Sequence, residues 1–201
     1  MTNEIELKLT IAPHEIDALQ QHPILLAAGK PHCRLLLSRY FDTPTLDLMA
    51  HHAALRVRRI GGVWIQTIKI GGTAINGLHN RPEWEIVIPD DQPHPLLFTD
   101  PIIRTVLTDN RTALLQSIFQ TEFWRNTWLI KYHDSRIEVA LDQGQVSCQG
   151  RSQPINELEL ELKSGNPDTL YKLAEEFSQN VALQPESTSK AQRGYALYQE
   201  W

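Results

Sequence analysis

Two stretches far apart in the chain share a strict alternation of charged and aliphatic residues. In "NEIELKL", residues 3–9, Glu4, Glu6 and Lys8 alternate with aliphatic side chains. In "NELELELK", residues 156–163, three glutamates and a lysine alternate with three leucines. Period-two alternation predicts β-strands with one charged face and one aliphatic face. The fold must therefore provide cover for the aliphatic faces and a suitable environment for two acidic rows.

Most other predicted strands also carry their charges on one face. These faces contain Arg56 and Arg58, Lys69, Arg81, Glu83 and Glu85, Arg125 and Lys131, and Glu138 and Asp142. The usual meaning of such alternation is an antiparallel sheet with one face in water. Here Glu and Arg dominate the charged faces, and the helix predicted over residues 167–180 covers only part of the aliphatic ones. We therefore expect an α+β fold, mainly antiparallel β, closed into a barrel with a charged, wet interior and flanking helices.

The composition bounds the class of protein. The chain has 201 residues, of which 41% are hydrophobic and 21% charged, and its net charge is −5. These values predict one globular domain over residues 1–201 and argue against a general partner among nucleic acids or membrane surfaces. No signal peptide or membrane-spanning run is apparent, and Cys33 and Cys148 have no metal or redox spacing. A cytoplasmic location is expected.

A charged interior of this kind has a chemical purpose. Clustered carboxylates repel one another unless a cation lies between them, so their pKa values should be raised without metal. Oxygen ligands alone favour Mg²⁺ or Mn²⁺ over zinc. The arginines and lysines on the same faces then need an anion with several charges, and phosphate suits the arginine fork. The pattern predicts a site for divalent metal and a phosphate chain.

Four further expectations concern the rest of the chain. Prolines precede "RTALLQSIF" within residues 90–120, which predicts short helices and loops there. Turns are predicted near Asp134 and Gly144, and a last helix over "TSKAQRGYALYQ". The eight histidines have no ligand spacing on a common element, so surface or loop positions are expected for them.

An ordered set of motifs resembles the CYTH proteins, also called triphosphate tunnel metalloenzymes. The set consists of "EIELK", "YFDTP", "LRVRR", "IKIGG", "RPEWEI", "IEVALDQG", "ELELELKSG" and "SKAQRGY". It extends along nearly the whole chain and looks most like the bacterial inorganic triphosphatases. The resemblance implies an eight-stranded antiparallel tunnel in which acidic rows hold divalent metal and basic residues hold a triphosphate.

The resemblance also implies roles for individual residues. The implied metal ligands are Glu4, Glu6, Glu159 and Glu161, for Mg²⁺ or Mn²⁺ at two sites. The implied triphosphate-binding residues are Lys8, Arg56, Arg58, Lys69, Arg81, Arg125, Lys190 and Arg193, the last two on a helix that closes one tunnel end. Asp142 and Glu85 are candidates for a second metal or for activating water, while Glu157 stands at the strand entrance with a solvated position equally open.

The function that follows is metal-dependent hydrolysis of inorganic triphosphate to pyrophosphate and phosphate. Alternatives are a nucleoside or thiamine triphosphatase, an adenylate cyclase of the same family, and a non-catalytic module that binds polyphosphate or nucleotides. Many bacterial triphosphatases of this kind carry a C-terminal helical CHAD domain, so the natural chain is a candidate for extension beyond Trp201.

Overall fold

The computed structural model describes residues 2–200, in which ten strands form one sheet. The strands are β1 (Thr2–Ile11), β2 (His32–Asp42), β3 (Ala53–Ile60), β4 (Val63–Ile70), β5 (Thr73–Ile75), β6 (Leu78–Ile88), β7 (Gln116–Tyr132), β8 (Ser135–Cys148), β9 (Arg151–Ser164) and β10 (Leu183–Pro185). The helices are α1 (Ile16–Gln20), α2 (Pro23–Ala28), α3 (Asp47–Ala50), α4 (Pro101–Val106), α5 (Asp109–Thr112), α6 (Asp168–Ser178) and α7 (Lys190–Gln199), with 3₁₀ turns at Pro13–Glu15 and Pro95–Leu97.

Eight of the strands close into an antiparallel barrel. Their order is β1-β9-β8-β7-β2-β3-β4-β6, and β6 pairs again with β1. The short strands β5 and β10 extend the sheet beside β6 and β1. Closure removes the exposed edges that an open sheet of this size would leave. The predicted closed, eight-stranded barrel is confirmed.

Strand register brings the two acidic rows together. In the β1–β9 ladder Glu6 pairs with Glu161, and Lys8 pairs with Glu159. Directly opposed residues of an antiparallel pair project from the same face of the sheet. Because the intervening leucines form the covered outer face, the charged rows are left to line the lumen.

The outer face is covered by helices that the aliphatic pattern anticipates. Helix α6 contributes Leu170, Leu173 and Phe177, all fully buried, to a core that includes Leu158 and Leu160 of β9. Burying a side chain of this size stabilises the fold by roughly 1.5–3 kcal/mol. This packing explains why the charged rows, and not the leucines, face inward.

Helix α7 packs across one end of the barrel. Ser189 caps its first turn, and the Tyr195 hydroxyl donates to a carboxylate oxygen of Asp42 at 2.9 Å. Gly194 leaves room for the ring of Phe119, which any β-carbon would overlap. The motifs "YFDTP" and "SKAQRGY" are thus joined in space, and they fix where the start of α7 enters the lumen.

Two expectations about turns and loops have different outcomes. The turn near Asp134 and the short helices α4 and α5 are confirmed, but β7 begins at Gln116, so the end of the 90–120 range is strand. The prediction of a turn near Gly144 is wrong, because β8 continues through that residue and the chain turns at Gln149 and Gly150. At Gly144 the missing side chain permits a close approach of the neighbouring strand.

Substitution of Gly144 by Ala is expected to destabilise the barrel by about 2 kcal/mol or more, through overpacking that only a backbone shift relieves. The added β-carbon would overlap the carbonyl oxygen of Glu122 and the backbone of Phe123 in β7. Urea unfolding followed by tryptophan fluorescence measures the loss. Ser147→Ala on the same strand is the control, and equal stabilities of the two variants would contradict this account of Gly144.

Within residues 2–200, none of the helices has both the length and the apolar character needed to cross a membrane.

Candidate functional site

The barrel lumen contains an inner cavity of about 100 Å³ beside the first turn of α7. Seven basic side chains line it: Lys8, Arg56, Arg58, Lys69, Arg81, Arg125 and Lys190. Three carboxylates line it with them: Glu4, Glu6 and Glu159. The formal excess is four positive charges, in a chain whose net charge is −5. The cavity therefore concentrates positive charge where an anion with several charges would be stabilised.

Arg58 shows most clearly that the inner cavity lacks negative charge. Its side chain is buried, donates to the Ser38 hydroxyl at 2.7 Å and lies 5.6 Å from the ring centroid of Phe123. Burial and the nearby guanidinium groups of Arg56 and Arg125 lower the pKa of Arg58 to about 9. A phosphate oxyanion beside this arginine would stabilise the charged guanidinium and raise its pKa again.

A second feature of the lumen wall is a cluster of three buried carboxylates. Oxygens of Asp142, Glu157 and Glu159 lie within 4.8 Å of one another, close enough to share one cation. The Lys190 ammonium lies 2.7 Å from Asp142, 2.5 Å from Glu157 and 2.7 Å from Glu159. Lys190, which α7 inserts into the barrel, thus supplies the positive charge that this cluster requires.

The pKa values of the cluster follow from these contacts. Burial alone would raise the pKa of Glu159, but the ammonium groups of Lys190 and Lys8 and the guanidinium of Arg125 hold it well below 4.5. The pKa of Glu157 is also lowered, because Lys190 and Lys8 outweigh its burial. The expectation of raised pKa values in clustered carboxylates is therefore wrong for these two residues, whose neighbouring cations already neutralise them.

An outer cavity of about 530 Å³ continues the lumen and shares Glu4, Arg56, Arg58 and Arg125 with the inner one. Its carboxylates are Glu4, Glu83, Glu85, Glu138 and Glu161. Burial raises the pKa of Glu161, and the charges of Glu4 and Glu138 add to this effect against the opposing contact with Lys163. A raised pKa was expected for clustered carboxylates without metal, and Glu161 has one. A bound cation would stabilise its charged form.

The two candidates for water activation occupy different environments. Asp142 has no exposed surface and receives two hydrogen bonds from Arg125, at 2.7 and 2.6 Å, so it lies behind the cavity wall. Glu85 lines the outer cavity with about half of its side chain exposed, and accepts a hydrogen bond from Thr67 at 2.8 Å. Of the pair, Glu85 has direct access to water.

The structure brings nearly all of the sequence-predicted binding residues together. The four carboxylates assigned to metal line one cavity or both, and seven of the eight basic residues line the inner cavity. Arg193 differs: its guanidinium donates to the Pro154 carbonyl at 3.0 Å and pairs with Glu157 at the rim. Glu157 is only 1% exposed, so its open assignment is resolved as a buried ion-pair residue and not a solvated one.

Sequence reasoning missed several lumen residues, among them Phe123 and His79. Phe123 is buried with its ring centroid 5.6 Å from Arg125 and 5.1 Å from the Lys190 ammonium, distances typical of cation–π contacts. Its parity with Arg125 on β7 was the available signal. His79 is fully buried on β6, two residues before Arg81, which contradicts the surface or loop position expected for the histidines. The motif "RPEWEI" begins at Arg81, so the parity of His79 was not considered.

Comparison with known proteins identifies similar chains. A model of the CYTH domain family matches residues 2–195. A curated Haemophilus influenzae protein named inorganic triphosphatase is 35% identical over 200 residues, covering 98% of this chain and 55% of that protein. The chain thus spans about half the length of this curated relative.

Solved structures share the fold at low sequence identity. A putative adenylyl cyclase from Hippeastrum, described as having a dominant triphosphatase activity, has a TM-score of 0.70 and 17% identity, covering 98% of this chain and 95% of that one. A protein from Pyrococcus horikoshii has a TM-score of 0.62 and 19% identity, covering 96% and 98%. At these identities the likeness concerns the fold alone.

Proposed function

Because this chain belongs to the CYTH family, we propose that its barrel hydrolyses inorganic triphosphate to pyrophosphate and phosphate. The observation that carries the proposal is the division of the lumen: an inner cavity with four excess positive charges adjoins an outer cavity rich in carboxylates. A phosphate chain supplies the negative charge that the inner cavity lacks. The outer cavity has five carboxylates against five arginine and lysine side chains, so once phosphate oxygens engage the arginines it shares with the inner cavity, its carboxylates are available to divalent metal. The name of the Haemophilus relative supports the same substrate.

The donor set of the outer cavity fits Mg²⁺ or Mn²⁺, because five carboxylates line it, against one imidazole, that of His32, and no thiolate from residues 2–200. We assign Glu4, Glu6, Glu159 and Glu161 to metal binding, with room for two sites. When bound, the metal polarises phosphoryl oxygens and stabilises charge that develops during transfer.

The basic residues bind and orient the phosphate chain. Within residues 2–200 Arg58 forms no ion pair with a carboxylate, and it is the central phosphate ligand, with Arg56 and Lys69 beside it. Lys8, Lys190 and Arg125 contact Glu159 in this structure. Phosphate oxygens would compete with the Glu159 carboxylate for those three cations.

Water activation is assigned to Glu85, which reaches solvent in the outer cavity and is oriented by the Thr67 hydroxyl. A carboxylate in this position accepts a proton from water during in-line attack on the terminal phosphoryl group. Asp142 is instead assigned to orienting Arg125, through two parallel hydrogen bonds.

The proposal includes a cytoplasmic setting and a small-molecule partner. The free thiols of Cys33 and Cys148 are consistent with a reducing compartment. We propose no nucleic-acid or membrane partner. A C-terminal CHAD domain remains our proposal for a longer natural chain, and the greater length of the Haemophilus relative is compatible with it.

The test is phosphate release from tripolyphosphate, ATP, thiamine triphosphate and longer polyphosphate, each with Mg²⁺, with Mn²⁺ and after chelation. We expect tripolyphosphate to give the highest kcat/KM, with pyrophosphate and phosphate in equal amounts and no turnover after chelation. Faster hydrolysis of a nucleotide or thiamine compound would replace the substrate assignment. Tight tripolyphosphate binding without turnover would favour the non-catalytic module.

A further inference from the structure

We propose that His79 is a positioning residue that holds the Arg81 guanidinium in the inner cavity and ties it to the segment that leads into α7. The inference rests on the proposed function, because Arg81 lines the inner cavity to which the phosphate chain is assigned there. His79 has no exposed surface and lies on β6 with its ring between two partners. Its Nδ1 is 2.5 Å from Nη2 of Arg81, and its Nε2 is 3.0 Å from the carbonyl oxygen of Glu186.

These two partners determine the protonation of the ring. A carbonyl oxygen only accepts, so the hydrogen must be on Nε2, which donates to Glu186. A guanidinium only donates, so Nδ1 must present its lone pair to Arg81. His79 is therefore neutral, with a single tautomer, and functions as an acceptor that orients a cation.

The constraint on Arg81 is useful because its other contacts are few. Arg81 lines the inner cavity, and its buried Nε has no hydrogen-bond partner among residues 2–200. Gly72 lies against its backbone and β-carbon, where any side chain would overlap them. The imidazole thus fixes one edge of the guanidinium, and a bound anion would supply the hydrogen bonds that the protein does not.

The second partner of His79 connects this arginine to α7. The amide of Glu186 donates to the carbonyl of Lys8 at 2.9 Å, and the Ser187 hydroxyl accepts from the amide of Gly77 at 3.3 Å. Ser189, three residues after Glu186, caps the helix that inserts Lys190. His79 therefore lies at the junction of the supports for three phosphate-binding cations, which come from β1, β6 and α7.

Two substitutions separate the two hydrogen bonds. In His79→Asn the short side chain places its amide oxygen near the Nδ1 position, so the acceptor for Arg81 is kept and the contact with Glu186 is lost. In His79→Gln the longer side chain places its amide nitrogen near the Nε2 position. The hydrogen bond to Glu186 is then kept, and the acceptor for Arg81 is lost. We expect His79→Gln to raise KM for tripolyphosphate about tenfold, the effect of one charge-assisted hydrogen bond, with kcat within about twofold. His79→Asn should stay within about threefold of the wild-type KM.

The matched control is a double-mutant cycle with Arg81→Met. If His79 acts through Arg81, His79→Gln should add no further loss in the Arg81→Met background. Independent, multiplying effects would overturn the proposal, as would equal KM changes in the Asn and Gln variants. Calorimetric Kd values for tripolyphosphate, measured in parallel without metal, give the same comparison if the wild type proves inactive, so failure of the catalytic assignment remains distinguishable from failure of this one.

Discussion

Replacing Lys190 by Met is expected to lower the free energy of unfolding by about 3–5 kcal/mol at pH 7, the range for removing one partner of a buried ion pair. The Lys190 ammonium contacts Asp142, Glu157 and Glu159, and all four side chains are nearly inaccessible to solvent. Methionine keeps the length of the side chain but leaves three buried carboxylates that repel one another. Chemical denaturation at pH 7 measures the loss, and Lys172→Met on the exposed face of α6 is the control.

The pH dependence of this loss gives a sharper test. In the wild type, Glu157 and Glu159 have pKa values lowered below 4.5, so their contribution to stability is present above pH 4.5 and is lost as pH falls through the folded-state pKa values. Without Lys190, burial and mutual repulsion favour the protonated forms, so the deficit should shrink as pH falls from 7 toward 4. A deficit that is constant over this range, or no deficit at pH 7, would contradict the counter-ion role.

Glu161→Gln is expected to lower tripolyphosphate turnover about a hundredfold, by analogy with losing one preorganised charge-stabilising group, roughly 3 kcal/mol. The change removes one charge at nearly constant size from the outer cavity, where the pKa of Glu161 is raised by burial and by Glu4 and Glu138. Because the lesion is in metal affinity, high Mn²⁺ should restore part of the activity. Phosphate release as a function of metal concentration is the measurement.

The control for this substitution is Glu122→Gln, on the exposed outer side of β7. It should leave both turnover and the metal requirement unchanged. Arg58→Ala, in contrast, should raise KM and slow turnover without rescue by metal, because it removes a phosphate ligand. Wild-type metal dependence in the Glu161 variant would remove that residue from the metal set.

The charged interior of a closed barrel could be predicted from strand parity, whereas the number of strands came from the resemblance to the CYTH proteins. Alternation assigns Glu4, Glu6, Arg56, Arg58 and Glu161 to one face each, and closure follows because the opposite faces need cover. Parity is a local property, so it can be assigned within each strand without knowing which strands are neighbours. This is why the lining of the lumen could be predicted from residue patterns before any contact was known.

Parity could not predict which lumen carboxylates are neutralised by neighbouring cations and which are not. Glu157 and Glu159 have the same parity as Glu161, yet only Glu161 has a raised pKa. The difference arises because α7 docks with Lys190 beside the first two, a placement set by the contacts of Tyr195 and Asp42 more than 150 residues apart. Gly144 was misread for a similar reason, since close approach of strands and a turn both select glycine.

The position of bound metal distinguishes the carboxylates around Glu161 from the cluster of Asp142, Glu157 and Glu159. Crystals of the chain grown with Mn²⁺ and a methylene-bridged triphosphate analogue would locate manganese by its anomalous scattering. We expect manganese bound by Glu161 and by one or more of Glu4, Glu6 and Glu159, with the analogue in the inner cavity against Arg58. Manganese bound among Asp142, Glu157 and Glu159, with Lys190 displaced, or an analogue outside the barrel would contradict this expectation.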